Sequence, residues 1–372
     1  MTIFVLSTLL VHSACALKLE SDDSSRNIPE EGLHGPISMH SALHMDHSSD
    51  VAASKNKDVV FVAGFDGDDV KVVDVSNENQ PIVATVIDGL RNVKDVQVKG
   101  DFLYVGMRGF AGEASGLKIY DVSNPFDPLS VSDNTTSPSS RELENCHNIW
   151  PQPDRELVYC ASEVTSRLVI VSVGDGGIGS VHNPMVIGSI DPPAGGNSHD
   201  MYARGNLLYV AFWNELHLYN IDNPGNPQLL GKVENSTHSV WPTDDGRFVF
   251  TTSERRAGDI TVWNIENPQS INRVGDFSSR NDASVHNIEV VGNSAFVSYY
   301  AEGLKVLDIS NPSTPREIAG DDFYLGTDFD EDPPPGIPGY LRGAWGVDPK
   351  LPFIYVSGYN SGLRIYSLNQ NP

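Results

Sequence analysis

Basic residues are scarce in this sequence: 25 Lys and Arg stand against 49 Asp and Glu, a formal net charge of −24 over 372 residues. So acidic a chain repels phosphate backbones, and no nucleic-acid partner is expected. An anionic membrane surface is disfavoured for the same reason. Long apolar runs are missing as well. The run from Ile3 to Val11 is about half the length that a membrane-spanning helix requires, so no membrane span is expected. With 33 Gly and 24 Pro, the chain is too poor in both for a collagen-like or low-complexity protein. No segment has a convincing helical period. No G-x-S-x-G elbow, H-E-x-x-H helix or phosphate-binding loop occurs. Asp328 to Asp332 alternate carboxylates, but Pro333 stands where an EF-hand loop needs glycine, which excludes that motif. That stretch, like Asp66, Asp68 and Asp69, reads by default as a solvated acidic loop.

What is present begins with an address. The short apolar run ends in Ala14-Cys15-Ala16, the pattern of a secretory signal cleaved after residue 16. Residues 17–33 then read as a flexible acidic leader, rich in Ser, Asp and Glu, and residues 34–372 as a single domain. An extracellular location accommodates two N-glycosylation sequons, at Asn134 and Asn235, both expected in loops.

One strand motif recurs seven times, as VKVVDVSN, LKIYDVSN, LVIVSVGD, LHLYNIDN, ITVWNIEN, LKVLDISN and LRIYSLNQ. Aligned on Asp74, Asp121, Ser172, Asn220, Asn264, Asp308 and Ser367, the copies are spaced 44 to 59 residues apart. About ten residues before each lies a companion strand rich in aromatic and β-branched residues, and after most comes an Asn-Pro or x-x-Pro turn with another short apolar run. Four-stranded units of this length are propeller blades. The expected fold is all-β: a seven-bladed β-propeller of four-stranded antiparallel blades. The seventh copy has no strand after it, so the segment around Pro36–Leu43 is expected to supply the missing outer strand. The chain then continues through Asp50–Ser54 as the first inner strand, which closes the ring.

Leu168-Val169-Ile170-Val171 followed by Ser172 is close to the LVIVD repeat, and all seven copies resemble it. Asn92-Val93-Lys94-Asp95, Cys146-His147-Asn148-Ile149, Thr237-His238-Ser239-Val240-Trp241, His286-Asn287-Ile288 and Arg342-Gly343-Ala344-Trp345-Gly346 resemble the choice-of-anchor B family of secreted LVIVD propellers. That resemblance implies an extracellular propeller and no defined activity, since propellers host binding modules and enzymes alike.

Cys146 and Cys160 are the cysteines that follow the signal. They flank a turn centred near residue 153, which predicts side chains directly opposite each other in a hairpin and a cross-strand disulfide; two free thiols are the alternative. His34, Met39, His40, His44, Met45 and His47 lie within fourteen residues, a tract whose donors would suit copper but whose clustering is by default compositional.

Four blades open with a histidine: His147, His199, His238 and His286. Each lies an even number of residues before the aromatic of its next strand, which gives the four side chains one phase of the pleat. Four residues past those aromatics come Glu163, Trp213, Glu254 and Tyr300, and the same offset gives Arg108 and Tyr359. All are expected at one mouth of the central channel. Three readings compete there. The imidazoles are structural hydrogen-bond partners, or they hold a transition metal ion (Zn, Cu or Fe), or they serve a metal-free ligand or acid–base site. Two functional classes follow. The first is an extracellular binding protein for a protein, small-molecule or glycan ligand, with divalent cations among its partners. The second is a metal-dependent extracellular hydrolase, lyase or oxidase using the same histidine arc.

Overall fold

The computed structural model describes residues 32–369 apart from 46, 66, 68, 109–115, 134–142, 144, 281–282 and 324–338. The segments read as a signal (1–16) and as a leader (up to residue 31), with Asn134, Asp66, Asp68 and Asp328 to Asp332, therefore lie outside the described residues.

Each repeat folds on itself because alternating apolar side chains need two covered faces and the turns between them are chemically specified. Asp74, Asp121, Asn220, Asn264 and Asp308 each accept a hydrogen bond from the backbone N–H two residues on. Three residues later Asn77, Asn124, Asn223, Asn267 and Asn311 do the same. Two successive Asx turns reverse the chain into the outer strand, which is why the repeat is D-x-S-N rather than merely polar.

The result is seven antiparallel sheets. Blade one comprises Ser48–Ala53, Val59–Gly64, Asp69–Asp74 and Ile82–Ile87, in sequence order from the axis outward. Blades two to six repeat that order from inner strands at Val93–Lys99, Ile149–Pro151, Asp200–Arg204, Val240–Pro242 and Ile288–Val291. In blade seven, Ala344–Asp348, Phe353–Gly358 and Gly362–Leu368 are completed by Ile37–Leu43, which pairs from Ile37↔Leu368 to Leu43↔Leu363. The ring closes through the N-terminal segment as expected. One strand was not foreseen: Leu33–His34 pairs with Arg316–Asp321 as a fifth strand of blade six, so Leu33 belongs to the propeller and not to the leader.

Seven apolar clusters fill the seven interfaces between neighbouring blades, from the one around Phe61, Val72 and Val105 to the one around Tyr355, Ile365 and Val60 that joins the last blade to the first. Phe61, Phe250 and Phe296 are wholly buried in them; each contributes about 2–3 kcal/mol by area burial alone. No helix among the described residues is long and apolar enough to cross a membrane.

Three sequence expectations are corrected in detail. The disulfide Cys146–Cys160 is present with its Cα atoms 5.2 Å apart, but Cys160 stands opposite Ile149, not Cys146. The chain leaves the sheet before residue 148, where the Cys146 N–H donates to Met107 O of blade two, so the bridge spans a bend rather than a ladder pair. Asn235 is in the outer strand Gln228–Thr237 and not in a loop, because its partner Trp213–Asn220 continues beyond the usual blade length. The His34–His47 tract is divided between blades: His34 binds Glu317 on blade six and His40 binds Ser367 on blade seven, so it forms no single donor set.

Two outcomes test this architecture. A chain that begins at His44 lacks the closing strand and should melt about 10 °C or more below one that begins at Gly32; equal melting would refute closure by that strand. Alkylation of the unfolded, unreduced chain should add no group to Cys146 or Cys160, and a group added to each would remove the bridge.

Candidate functional site

The first residue of each inner strand's approach to the axis occupies one equivalent position in every blade. Going round from blade one, it is Ser49, Lys94, His147, His199, His238, His286 and Trp345. The next residue sits one step down the channel: Asp50, Asp95, Asn148, Asp200, Ser239, Asn287 and Gly346. The site thus has two tiers.

In the upper tier the four histidines form a continuous arc, with ring centroids 4.5 Å (His147–His199), 4.0 Å (His199–His238) and 4.6 Å (His238–His286) apart. The arc continues through Trp345, 5.5 Å from His286, to Tyr359 and Phe65. The Lys94 ammonium lies 3.0 Å over the Phe65 ring. Three of the histidines are tied to the following blade. His199 Nδ1 donates to His238 O at 3.1 Å, His238 Nδ1 to His286 O at 3.3 Å, and His286 Nδ1 to Trp345 O at 2.6 Å. A ring that donates from Nδ1 keeps the lone pair on Nε2.

The companions expected from the strand offsets gather at this mouth. Glu163 pairs with Arg108 at 2.7 Å and lies 3.2 Å from His147 Nδ1. Trp213 stands edge-on to His199 and His238 at 5.0 and 5.7 Å. Glu254 reaches His238 Nε2 at 3.5 Å and accepts a hydrogen bond from the Tyr300 hydroxyl. Tyr300 packs on His286 at 4.9 Å. Tyr359 is the outlier: it stacks on Trp345 and binds His47 at 3.0 Å, away from the histidines. Trp213 and Tyr300 hold φ of 57° and 41°, a left-handed backbone that large side chains adopt at a cost of about 1–3 kcal/mol.

A four-histidine set does not emerge from the donor geometry. The trio with ligand atoms all within 4.8 Å of one another is His238, Glu254 and His286. Desolvation dominates the electrostatics. It lowers His147 to about 3 and His286 to about 4, and holds His199 and His238 well below the usual imidazole range. All four are neutral at pH 7. Burial raises Glu254 to about 7.

The lower tier is acidic and joins the blades. Asp50 Oδ2 accepts from the Val96 N–H of blade two at 3.2 Å, and Asp95 Oδ2 from the Ile149 N–H of blade three at 2.6 Å. Asp200 accepts from Asn148 Nδ2 (3.3 Å) and the Val240 N–H (3.0 Å), linking blades three, four and five. At the far end, Asp348 Oδ2 accepts from the Ala53 N–H at 2.7 Å, joining blade seven to blade one. Burial pushes these carboxyls up, Asp200 to about 7 and Asp348 to about 6. Asp50 is raised well above its usual value by burial and by the charge of Asp95 beside it, and burial raises Asp95 too.

The sequence motifs contained Asp95, Asn287, Lys94 and Trp345, but sequence reasoning assembled no acidic tier from them and did not place Lys94, Phe65 or Trp345 at the site. Extending the histidine alignment into blades one, two and seven would have found most of them, because Lys94-Asp95 and Trp345-Gly346 occupy the columns of His199-Asp200.

The architecture is that of a seven-bladed β-propeller, and the comparisons agree. The LVIVD repeat matches residues 90–136, 195–235 and 282–319, so the chain carries LVIVD repeats. No curated protein sequence matches significantly. Among solved structures, the Cps50 (Swd1) β-propeller domain of Myceliophteria thermophila is similar with a TM-score of 0.61 and 12% identity, over 89% of this chain and 99% of that one. A functionally unknown protein from Desulfotomaculum acetoxidans is similar with a TM-score of 0.56 and 17% identity, over 76% of this chain and 88% of that one. At such identities the likeness concerns the fold alone.

The channel carboxyls generate a pH prediction. A carboxyl raised in the folded state contributes stability that is complete below its unfolded value and is lost as pH rises through the folded one. For Asp348 the window runs from about pH 4 to about 6, with Lys55 and Lys350 as the charged groups that act on it, both lowering it against the burial. Asp348→Asn keeps the acceptor for Ala53 N–H without the charge. Its stability relative to wild type should improve by about 2 kcal/mol between pH 4 and pH 7, the full linkage being discounted for channel water. Denaturant unfolding at the two pH values reads it, and an unchanged difference would contradict the burial of that charge.

Proposed function

We propose that this chain is a secreted binding propeller whose histidine-lined mouth contacts its ligand, and that His238, His286 and Glu254 hold a divalent transition metal ion there. The observation that carries the reading is the convergence of those three donors within 4.8 Å at a mouth that also keeps Trp213 and Tyr300 in left-handed backbone conformations. Strain of this kind persists where the surroundings fix a side chain for use.

The donors suit zinc, copper or iron. Both histidines are neutral, and each donates Nδ1–H to a backbone carbonyl, the arrangement that orients Nε2 toward a metal. Glu254 is oriented by the Tyr300 hydroxyl. A bound ion would supply a Lewis-acidic coordination position for an oxygen or nitrogen donor of the ligand. Around it Trp213 offers an aromatic edge, and Arg108 with Glu163 a charged rim. Secretion is supported by the signal-like residues 1–16, and the role as a binding protein by the lack of any catalytic signature in the sequence.

Elemental analysis of the purified wild-type chain should find about one zinc, copper or iron ion per molecule. His238→Ala and Glu254→Gln should each lower the affinity for added metal by tenfold or more, whereas His147→Ala should leave it within twofold. Substoichiometric metal in the wild type after equilibration with each ion would overturn the metal assignment.

A further inference from the structure

The opposite mouth of the channel has a different character. It opens on a cavity of about 570 Å³, within the range of small-molecule sites. Blades seven, one and two present lysines to it: Lys350, Lys55 and Lys99. Blades three, four and five present aromatics: Trp150, Tyr202 and Trp241, packed as a cluster with centroids 4.7 to 5.2 Å apart. The chain has only ten lysines among its 372 residues, and three of them meet at this one opening, beside the carboxyls of Glu289 and Asp348.

We propose that this mouth binds a small carboxylate borne on a six-membered ring with an apolar face, the ring lying against Trp150, Tyr202 and Trp241 and the carboxylate toward Lys55 and its neighbours. The two halves of the opening are complementary to the two halves of such a molecule. An aromatic wall gains by covering a ring face, and the cations opposite select charge and set orientation. Lys99 is held by Arg155 O at 2.7 Å and Glu156 Oε1 at 3.1 Å, and Lys350 by Lys57 O at 2.9 Å with Asp58 at 4.0 Å. Their ammonium groups therefore stand in place before the ligand arrives. Lys55 is exposed, and its charge reaches Glu289 and Asp348 at the channel floor. Glu289 lines both this cavity and the channel above it. Desolvation, and then the charge of Asp348, raise its carboxyl well above the ordinary range, which lessens the negative charge that an incoming anion meets.

The ring can be that of an aromatic acid or of an acidic sugar, and two probes separate them. Titration calorimetry with 4-hydroxybenzoate and with glucuronate should show submillimolar binding of at least one. The matching uncharged compound, 4-hydroxybenzamide or glucose, should bind tenfold or more weakly. Lys55→Ala should weaken the charged probe about fivefold, the magnitude of one partly exposed ion pair, and Trp241→Leu should weaken charged and neutral probes alike. Raising the salt from 50 to 500 mM should lower affinity for the charged probe. Equal binding of acid and neutral analogue, no response to Lys55→Ala, or no submillimolar binding of either acid would overturn the proposal. Binding abolished by chelation of metal would also overturn it, by placing the ligand at the histidine mouth.

Discussion

Every blade of this ring is fastened to the next by a polar side chain near the axis that bonds to the neighbouring inner strand. Asp50, Asp95, Asp200 and Asp348 accept backbone N–H groups of the following blade, while His199, His238 and His286 donate to its carbonyls. Ser298 and Ser357 add hydroxyl bonds to Trp345 O and Ser49 O at the last two junctions. The innermost strands converge, and their backbone groups facing the axis have no sheet partner there. Buried N–H and C=O groups left unpaired are costly, so the centre of the propeller has to be polar even though the blade interfaces are apolar.

That constraint accounts for the chemistry at both mouths. Side chains chosen to satisfy inner-strand backbone groups are small carboxylates, amides, hydroxyls and imidazoles, which are also the groups that bind ligands. Burial then tunes them. The same desolvation that keeps the four imidazoles neutral raises Asp200 and Glu254 to about 7. The structural and ligand-binding readings of the histidines, set against each other at first, are therefore compatible: Nδ1 fastens the blade and Nε2 is left for another partner. The two mouths differ because strand direction places different columns of the repeat at each end, histidine with Trp345 at one, lysine and tryptophan at the other.

The fold was legible in the sequence almost in full, because its signals are local. Alternation defines strands, and the paired Asx turns built on Asp74 and Asn77 and their counterparts define each reversal. Ring closure by Ile37–Leu43 was legible by subtraction, since the seventh repeat lacked its outer strand. The misses were of register and reach. Cys146 left the ladder sooner than an ideal hairpin allows, Asn235 lay in an overlong strand, and Leu33 joined blade six. The acidic tier escaped notice because its members change identity from blade to blade, Asp50 and Asp95 giving way to Asn148, Ser239 and Gly346.

By itself the sequence determined the number of blades, the strand content, the closing segment and the side of the ring on which the histidines lie. Each of these depends on patterns within about fifty residues, where periodicity and turn chemistry act. Only the tertiary structure decided which donors meet. His238 and His286 are 48 residues apart yet pack with ring centroids at 4.6 Å, and His147 belongs to the same column but stands outside the convergent trio. Such distances depend on how far each blade is rotated about the axis. The charge states depend on the burial that this rotation creates, and neither is written in any one repeat.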